Sequence, residues 1–345
     1  MTLQALLGTR LPLIQAPMAG AQLSALAVAV SNAGGLGSLP CAMLGPDDLR
    51  RELAAILAQT SYPYNVNVFC HRAPVQSAAR EAAWRAALLP YYAEFGLDAT
   101  IAPPAPQRRP FDHDAADVLS EFRPPVVSFH FGLPPPELLA RVKSWGAVVL
   151  ATATTIEEAR WLEARGTDAI IAQGLEAGGH RGMFLTADLS TQIGTLALVP
   201  QIVARVKVPV VAAGGIADAR GIAAAMRLGA SGVQVGTSYL RCPEATTSAV
   251  HRAALASDTA HLTAVTNIFT GRPARGIVNR IMRELGPMSG APPEFPLAAA
   301  ALAPLRARAE RAGSGDFSPL WSGQNNSGCL DVPAARMTDL LAAGF

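Results

Sequence analysis

Eight short apolar runs recur along the chain at spacings that leave room for a helix between most neighbours. They cover residues 11–16 (LPLIQA), 36–39 (LGSL), 64–69 (YNVNVF), 126–131 (VVSFHF), 147–153 (AVVLATA), 169–173 (AIIAQ), 208–213 (VPVVAA) and 232–236 (GVQVG), and none contains a charged residue. Runs of this length and polarity suit strands buried on both faces. Helical patterns fill 24–33, 49–59, 75–95, 136–145, 156–165, 195–206 and 218–228. Pro46-Asp47-Asp48 opens the second of these as the helix dipole favours, while Gly34-Gly35 and Gly229 close the first and the last. Strands alternating with helices make a parallel sheet, and eight of them favour closure into a (β/α)8 TIM barrel of the α/β class. The stretch 96–125, which holds Pro103, Pro104, Pro106, Pro110, Pro124 and Pro125, reads as an insertion that is not regular throughout. The expected division is a barrel over 1–264 and a C-terminal extension over 265–345, with a helix at 298–312, serving as a lid on the barrel mouth.

Composition narrows the class further. Half of the 345 residues are hydrophobic and 16% are charged, which supports a large core and argues against disorder. The 28 basic and 26 acidic residues leave a formal charge of +2 with no basic block, so nucleic acid is not an expected partner. No run approaches the roughly 18 apolar residues of a membrane span, and the expected location is the cytoplasm. Cys41, Cys70, Cys242 and Cys329 form no C-x-x-C pair, and the histidines show no metal spacing, so neither a metal site nor a disulfide framework is expected.

Candidate chemistry concentrates at the ends of the strand runs. The sixth run stops at Gln173 and leads into GLEAGGHRG, a glycine-rich loop with His180 at its tip. An imidazole with an ordinary pKa of about 6.5, on a loop at the carboxyl end of a barrel strand, is a candidate general base. The seventh run ends in Gly214-Gly215 before a helix whose amides are expected to point at the turn, and the eighth ends in Gln234-Val235-Gly236-Thr237. Loops after the seventh and eighth strands commonly cradle a phosphate. Asn65 and Asn67 face one way on the third strand; Asn67 and Gln173 either bond the edge of a flat heteroaromatic ring or are satisfied interior amides. His130, beside Ser128, reads as a bonded core histidine. No G-x-G-x-x-G follows the first strand, which gives no support to a Rossmann dinucleotide site.

The segments IQAPMAG (14–20), NAGGLGSL (32–39), NVNVF (65–69), VVSFHFG (126–132), AQGLEAGGHRG (172–182), VVAAGGIAD (210–218), GVQVGT (232–237) and NIFTGRPARG (267–276) together resemble the nitronate monooxygenases, formerly 2-nitropropane dioxygenases, with a leaning towards class I. That resemblance spans most of the chain. It implies an FMN-dependent barrel that converts nitronates or nitroalkanes with O2 to carbonyl compounds and nitrite, as a monomer or homodimer. It further implies FMN held by Ala16, Pro17, Met18, Asn67, Ser128, Gln173, Gly178, Gly179, Gly214, Gly215, Gln234, Val235, Gly236 and Thr237, with His180 as the catalytic base. The alternative within the superfamily is an NAD(P)H-dependent flavin reductase of enoyl thioesters or quinones.

One segment departs from the class I pattern. Where those enzymes carry tyrosines and a lysine on the lid, PPEFPLAAAALAPLRA places Phe295, Ala299 and Ala303. An apolar lid is expected to favour longer alkyl nitronates over propionate 3-nitronate, unless Arg272, Arg275 or Arg306 supplies a charge at the mouth.

Overall fold

A computed structural model of the chain describes residues 2–99 and 108–345. Pro103, Pro104 and Pro106 lie outside the described residues. The eight strands are β1 (Leu13–Gln15), β2 (Gly37–Pro40), β3 (Tyr64–Phe69), β4 (Val126–His130), β5 (Val148–Ala153), β6 (Ala169–Gln173), β7 (Val210–Ala213) and β8 (Gly232–Val235). Each pairs in parallel with its neighbours in the order β1-β8-β7-β6-β5-β4-β3-β2. A parallel bridge between Ile14 and Leu36 joins β1 to β2 and closes the ring. Side chains reinforce that seam: the Ser38 hydroxyl donates to the Gln15 carbonyl at 2.6 Å, and the amides of Gln15 and Gln22 bond each other. The sheet is a (β/α)8 barrel.

Both faces of each strand are buried, which is why the runs read as continuously apolar. On β4, Val127 and Phe129 pack outward beneath the helices, whereas Val126 joins Ile14, Leu36, Leu150, Ile171 and Val211 in an inner cluster. Leu3 and Leu7 of the short helix Leu3–Leu7 complete that inner cluster.

The segment between β3 and β4 is arranged differently from the sequence reading. The helix that packs on the barrel there is His113–Phe122, which lies inside the proline-rich stretch, and it buries Ala116, Val118 and Leu119. Asp112 caps it by accepting from the Ala115 N–H at 2.9 Å. The helix expected at 75–95 is present as Ala78–Glu94 but leaves the barrel to form a second layer with Ala298–Arg311. There the Trp84 indole N–H donates to the Ala298 carbonyl at 3.0 Å and the Tyr92 hydroxyl to the Ala301 carbonyl at 2.6 Å.

The extension makes a small antiparallel sheet that the polarity pattern did not reveal. Strands β9 (Thr263–Thr266) and β10 (Ala274–Ile277) pair, and β10 also pairs with the two-residue strand Gly179–His180. The boundary drawn at 264 thus falls inside β9. The last helix, Ala334–Ala342, returns to the barrel's helical ring and buries Ala334, Met337 and Leu341 there. Among the described residues, no helix is long and apolar enough to cross a membrane.

Candidate active site

A cavity of about 330 Å³ opens at the carboxyl ends of the barrel strands. Ala16, Pro17, Met18, Asn67, Ser128, Gln173, Gly178, Gly179, His180, Gly214, Gly215, Gln234, Gly236 and Thr237 all line it. Val235 does not. Its side chain packs into the core beneath the helices and its carbonyl accepts from the Ala16 N–H at 2.8 Å, so it ties β8 to the loop after β1.

The pairing of β10 with Gly179–His180 sets the His180 backbone, and two side chains fix its carbonyl. Gln173 Nε2 donates to it at 3.0 Å, and His130 Nε2 lies 3.3 Å away. Gln173 Oε1 also accepts from the Gly182 N–H at 2.8 Å, so this amide spans the loop that carries His180. His130 has its other nitrogen 3.1 Å from the Thr152 hydroxyl, which makes it the bonded core histidine the sequence suggested. Of the two asparagines on β3, Asn65 is fully buried and donates to Ser38 and Ser128. Asn67, nearer the carboxyl end, donates to the Ser128 hydroxyl at 2.9 Å and lines the cavity.

Beneath the loop lies a chain of buried polar groups. The Arg181 guanidinium, 0% exposed, donates to the Gly174 carbonyl at 2.7 Å, the Gln173 carbonyl at 2.9 Å and Gln192 Oε1 at 3.0 Å. Gln192 donates in turn to the Thr154 hydroxyl, which donates to Glu158. The Glu158 carboxylate also accepts from the N–H groups of Phe184 and Leu185. Glu176, the acidic residue of the loop, bonds the Thr195 N–H and hydroxyl and caps the helix Thr195–Val203.

His180 is half-buried among Phe295, Trp321, Phe131 and Phe69, with ring centroids 5.2 to 6.3 Å away. Its Nε2 lies 2.9 Å from the Thr270 hydroxyl. Burial, then the positive charge of Arg108, then His130, Arg272 and His71, hold its pKa well below the ordinary imidazole value. The ring is therefore neutral at neutral pH and has a lone pair to offer.

The glycine turns are shaped for close approach. Gly214 and Gly215 have φ of 115° and 69°, and a Cβ on Gly214 would lie 2.9 Å from the Thr195 hydroxyl. Among the described residues, the N–H groups of Gly214, Gly215, Gly236 and Thr237 meet no protein acceptor. Of the helix amides expected to face this turn, that of Gly221 is taken, because Asp218 accepts from it at 2.8 Å and caps Ala219–Arg227. Two buried polar atoms lining the cavity, Gln234 Oε1 and Thr247 Oγ1, have no hydrogen-bond partner, which marks a place built for a polar guest.

The family model described as nitronate monooxygenase matches residues 1–341. The chain belongs to the nitronate monooxygenase family. It is 44% identical over 338 residues to the nitronate monooxygenase of Pseudomonas aeruginosa, covering 96% of this chain and 95% of that one. The nitronate monooxygenase of Paraburkholderia phytofirmans is 41% identical, with 96% and 91% covered. Among solved structures, nitroalkane oxidase from Streptomyces ansochromogenes superposes with a TM-score of 0.90 at 39% identity, covering 99% and 96% of the two chains. FabK from Thermotoga maritima is more distant, with a TM-score of 0.72 at 29% identity over 99% and 94%. As a member of this flavin-dependent family, the protein is an oxidoreductase that converts nitronates or nitroalkanes oxidatively.

Several lining residues of this nitronate monooxygenase family member escaped the sequence reading. Trp321, Gly323 and Asn325 come from the extension: the Gly323 N–H donates to the Thr237 hydroxyl at 3.0 Å and Asn325 Nδ2 to the Gly215 carbonyl at 3.1 Å. Of the residues expected on the lid, Phe295 is buried with its ring 5.2 Å from that of His180, and none of Phe295, Ala299 and Ala303 is among the residues that line the cavity. Of the arginines considered for its mouth, Arg275 is bonded to Leu175 and Thr263, and Arg272 donates to the Met183 carbonyl and lies over Phe131 at 3.9 Å. Arg306 does line the cavity, and so does Arg108, whose guanidinium stands 5.8 Å over the Phe295 ring and whose Nη1 is buried without a partner. Burial lowers the Arg108 pKa to about 10, with Arg306 adding repulsion, and it remains charged at neutral pH.

Proposed function

We propose that the cavity holds one FMN, and that His180 removes the α-proton of a nitroalkane so that the nitronate can be oxidised by O2 to a carbonyl compound and nitrite. The observation that carries this is the convergence of a neutral, cavity-lining imidazole with four acceptor-free turn amides on adjacent strands of one barrel. Gly214, Gly215, Gly236 and Thr237 would hold the phosphate through backbone N–H groups. Gln234 and Thr247 offer unpaired polar atoms to the ribityl chain, and Asn67, Ser128 and Gln173 stand where the edge of a ring would meet donors and acceptors. Bound FMN would supply the electron transfer between nitronate and O2, which no side chain here performs.

The chain's own contribution is positioning and proton handling. Arg108 brings a positive charge to a mouth with no carboxylate among its lining residues, whereas Arg306 is paired with Glu310 at 2.8 Å, so an anionic nitronate enters a favourable potential set chiefly by Arg108. Phe69, Phe131, Phe295 and Trp321 exclude water around the His180 ring. A single phosphate cradle fits FMN; the released chromophore should have the mass of FMN and not FAD.

His180→Asn tests the role of the imidazole. It should retain FMN, slow turnover of neutral nitroalkanes by about 10² to 10⁴-fold, the range of a general base, and spare preformed nitronates. Equal losses on both substrates would mean that His180 orients the ligand and takes no proton.

A further inference from the structure

Thr270 is 2% exposed and belongs to the turn that leads into β10, the strand that pairs with Gly179–His180. The same segment thus holds His180 twice, through the backbone and through the 2.9 Å contact between Thr270 Oγ1 and His180 Nε2. A hydroxyl can donate or accept, and the direction decides which ring nitrogen carries the proton in a neutral imidazole. The Thr270 hydroxyl has an acceptor of its own in the Arg272 carbonyl at 3.4 Å. With its proton turned to that carbonyl, its oxygen is left to accept from Nε2–H. The other nitrogen, Nδ1, hydrogen-bonds to no protein atom among the described residues, and His180 lines the cavity.

We propose that Thr270 is a positioning residue that fixes His180 in the Nε2–H tautomer and so makes Nδ1 the atom that accepts the substrate's α-proton. The inference rests on the reading of His180 as the base. In the step, the α C–H bond breaks, its proton forms a bond to Nδ1, and the electron pair passes into the nitro group as the nitronate. The resulting imidazolium keeps Nε2–H donated to Thr270, so the hydroxyl need not turn during the transfer. In the opposite tautomer Nδ1 would already carry hydrogen and could accept no proton.

The test uses the flavin-loaded, ¹⁵N-labelled enzyme and three proteins: wild type, Thr270→Val and Thr270→Ser. In wild type, two-bond ¹H–¹⁵N spectra should give His180 an unprotonated Nδ1 and a protonated Nε2. Thr270→Val should shift both resonances towards a mixture of tautomers, and Thr270→Ser, which keeps the hydroxyl, should not. In parallel, kcat/KM of Thr270→Val on a neutral nitroalkane should fall about 10 to 100-fold, a part of what a general base contributes. On the preformed nitronate it should change by less than about threefold, and Thr270→Ser should recover most of the loss. A wild-type His180 protonated on Nδ1, or full nitroalkane activity in Thr270→Val, would overturn the proposal. Equal loss on both substrates in His180→Asn would instead overturn the base reading, and the spectra would still decide the tautomer.

Discussion

Arg181→Met separates what holds the His180 loop from the chemistry proposed for it. The guanidinium is sealed from solvent and makes three hydrogen bonds, to the carbonyls of Gly174 and Gln173 and to Gln192 Oε1, at 2.7 to 3.0 Å. Methionine matches its reach without donating, so the Gln173 carbonyl and Gln192 Oε1 are left unpaired at roughly 1 to 3 kcal/mol each, while the Gly174 carbonyl keeps the Ala177 N–H at 3.1 Å. Relief of the desolvation cost that pushes the Arg181 pKa down to about 10 offsets part of this, and a net loss of about 3 kcal/mol is expected. The preceding residue in the chain is His180, the proposed base, and displacement of a catalytic group by about 1 Å costs on the order of 100-fold in rate. Urea unfolding monitored by circular dichroism gives the first quantity, and steady-state turnover of an alkyl nitroalkane the second. Arg181→Lys should be intermediate, because an ammonium cannot reach three acceptors lying in different directions. A methionine variant within about 1 kcal/mol of wild type and fully active would show that Gln173 and the β10 pairing hold the loop alone.

Gly236→Val should lower the FMN recovered per chain, because a Cβ there already lies 3.2 Å from the Ala16 Cβ and a larger side chain fills the cradle; unchanged flavin content by absorbance would contradict the phosphate assignment. Arg108→Met should raise KM more for a nitronate that also bears a carboxylate, such as propionate 3-nitronate, than for a simple alkyl nitronate, since the unpaired Nη1 is the charge the apolar segment at Phe295 lacks; equal changes would remove Arg108 from substrate selection. Stability should be flat from pH 8 to about 6.5 and fall from there towards pH 4. Burial depresses His71 and His251 to about 4 and His130 to about 3, so the unfolded chain binds protons that the folded one refuses; urea midpoints that stay constant down to pH 4.5 would contradict it.

The barrel was legible because parallel strands covered on both faces must be apolar throughout, and VVSFHF, AVVLATA and AIIAQ have no other stable use in a chain of this composition. The glycine turns and His180 were legible for a related reason: small residues and a lone imidazole break the pattern where the strands end. The second sheet was not, since Gly179–His180 is too short to show a period and β10 reads ARGI, whose arginine is 5% exposed and bonded to Leu175 and Thr263. The His113–Phe122 helix was masked by the prolines around it. Polar residues that work by reaching across the fold, among them Thr270, Gln192 and Arg108, leave no local signature, because key partners of each lie far away in sequence. Val235 shows the opposite error: it shares a motif with three cavity residues but faces the other way, as alternation along a strand requires.

The account is tested most directly by nitrite release from the purified, flavin-loaded protein given an alkyl nitronate in air with no nicotinamide present. It predicts nitrite formation matched by O2 uptake, unaffected by added NADPH. Absence of nitrite, together with NADPH oxidation that depends on an enoyl thioester or a quinone, would contradict it and favour the reductase alternative.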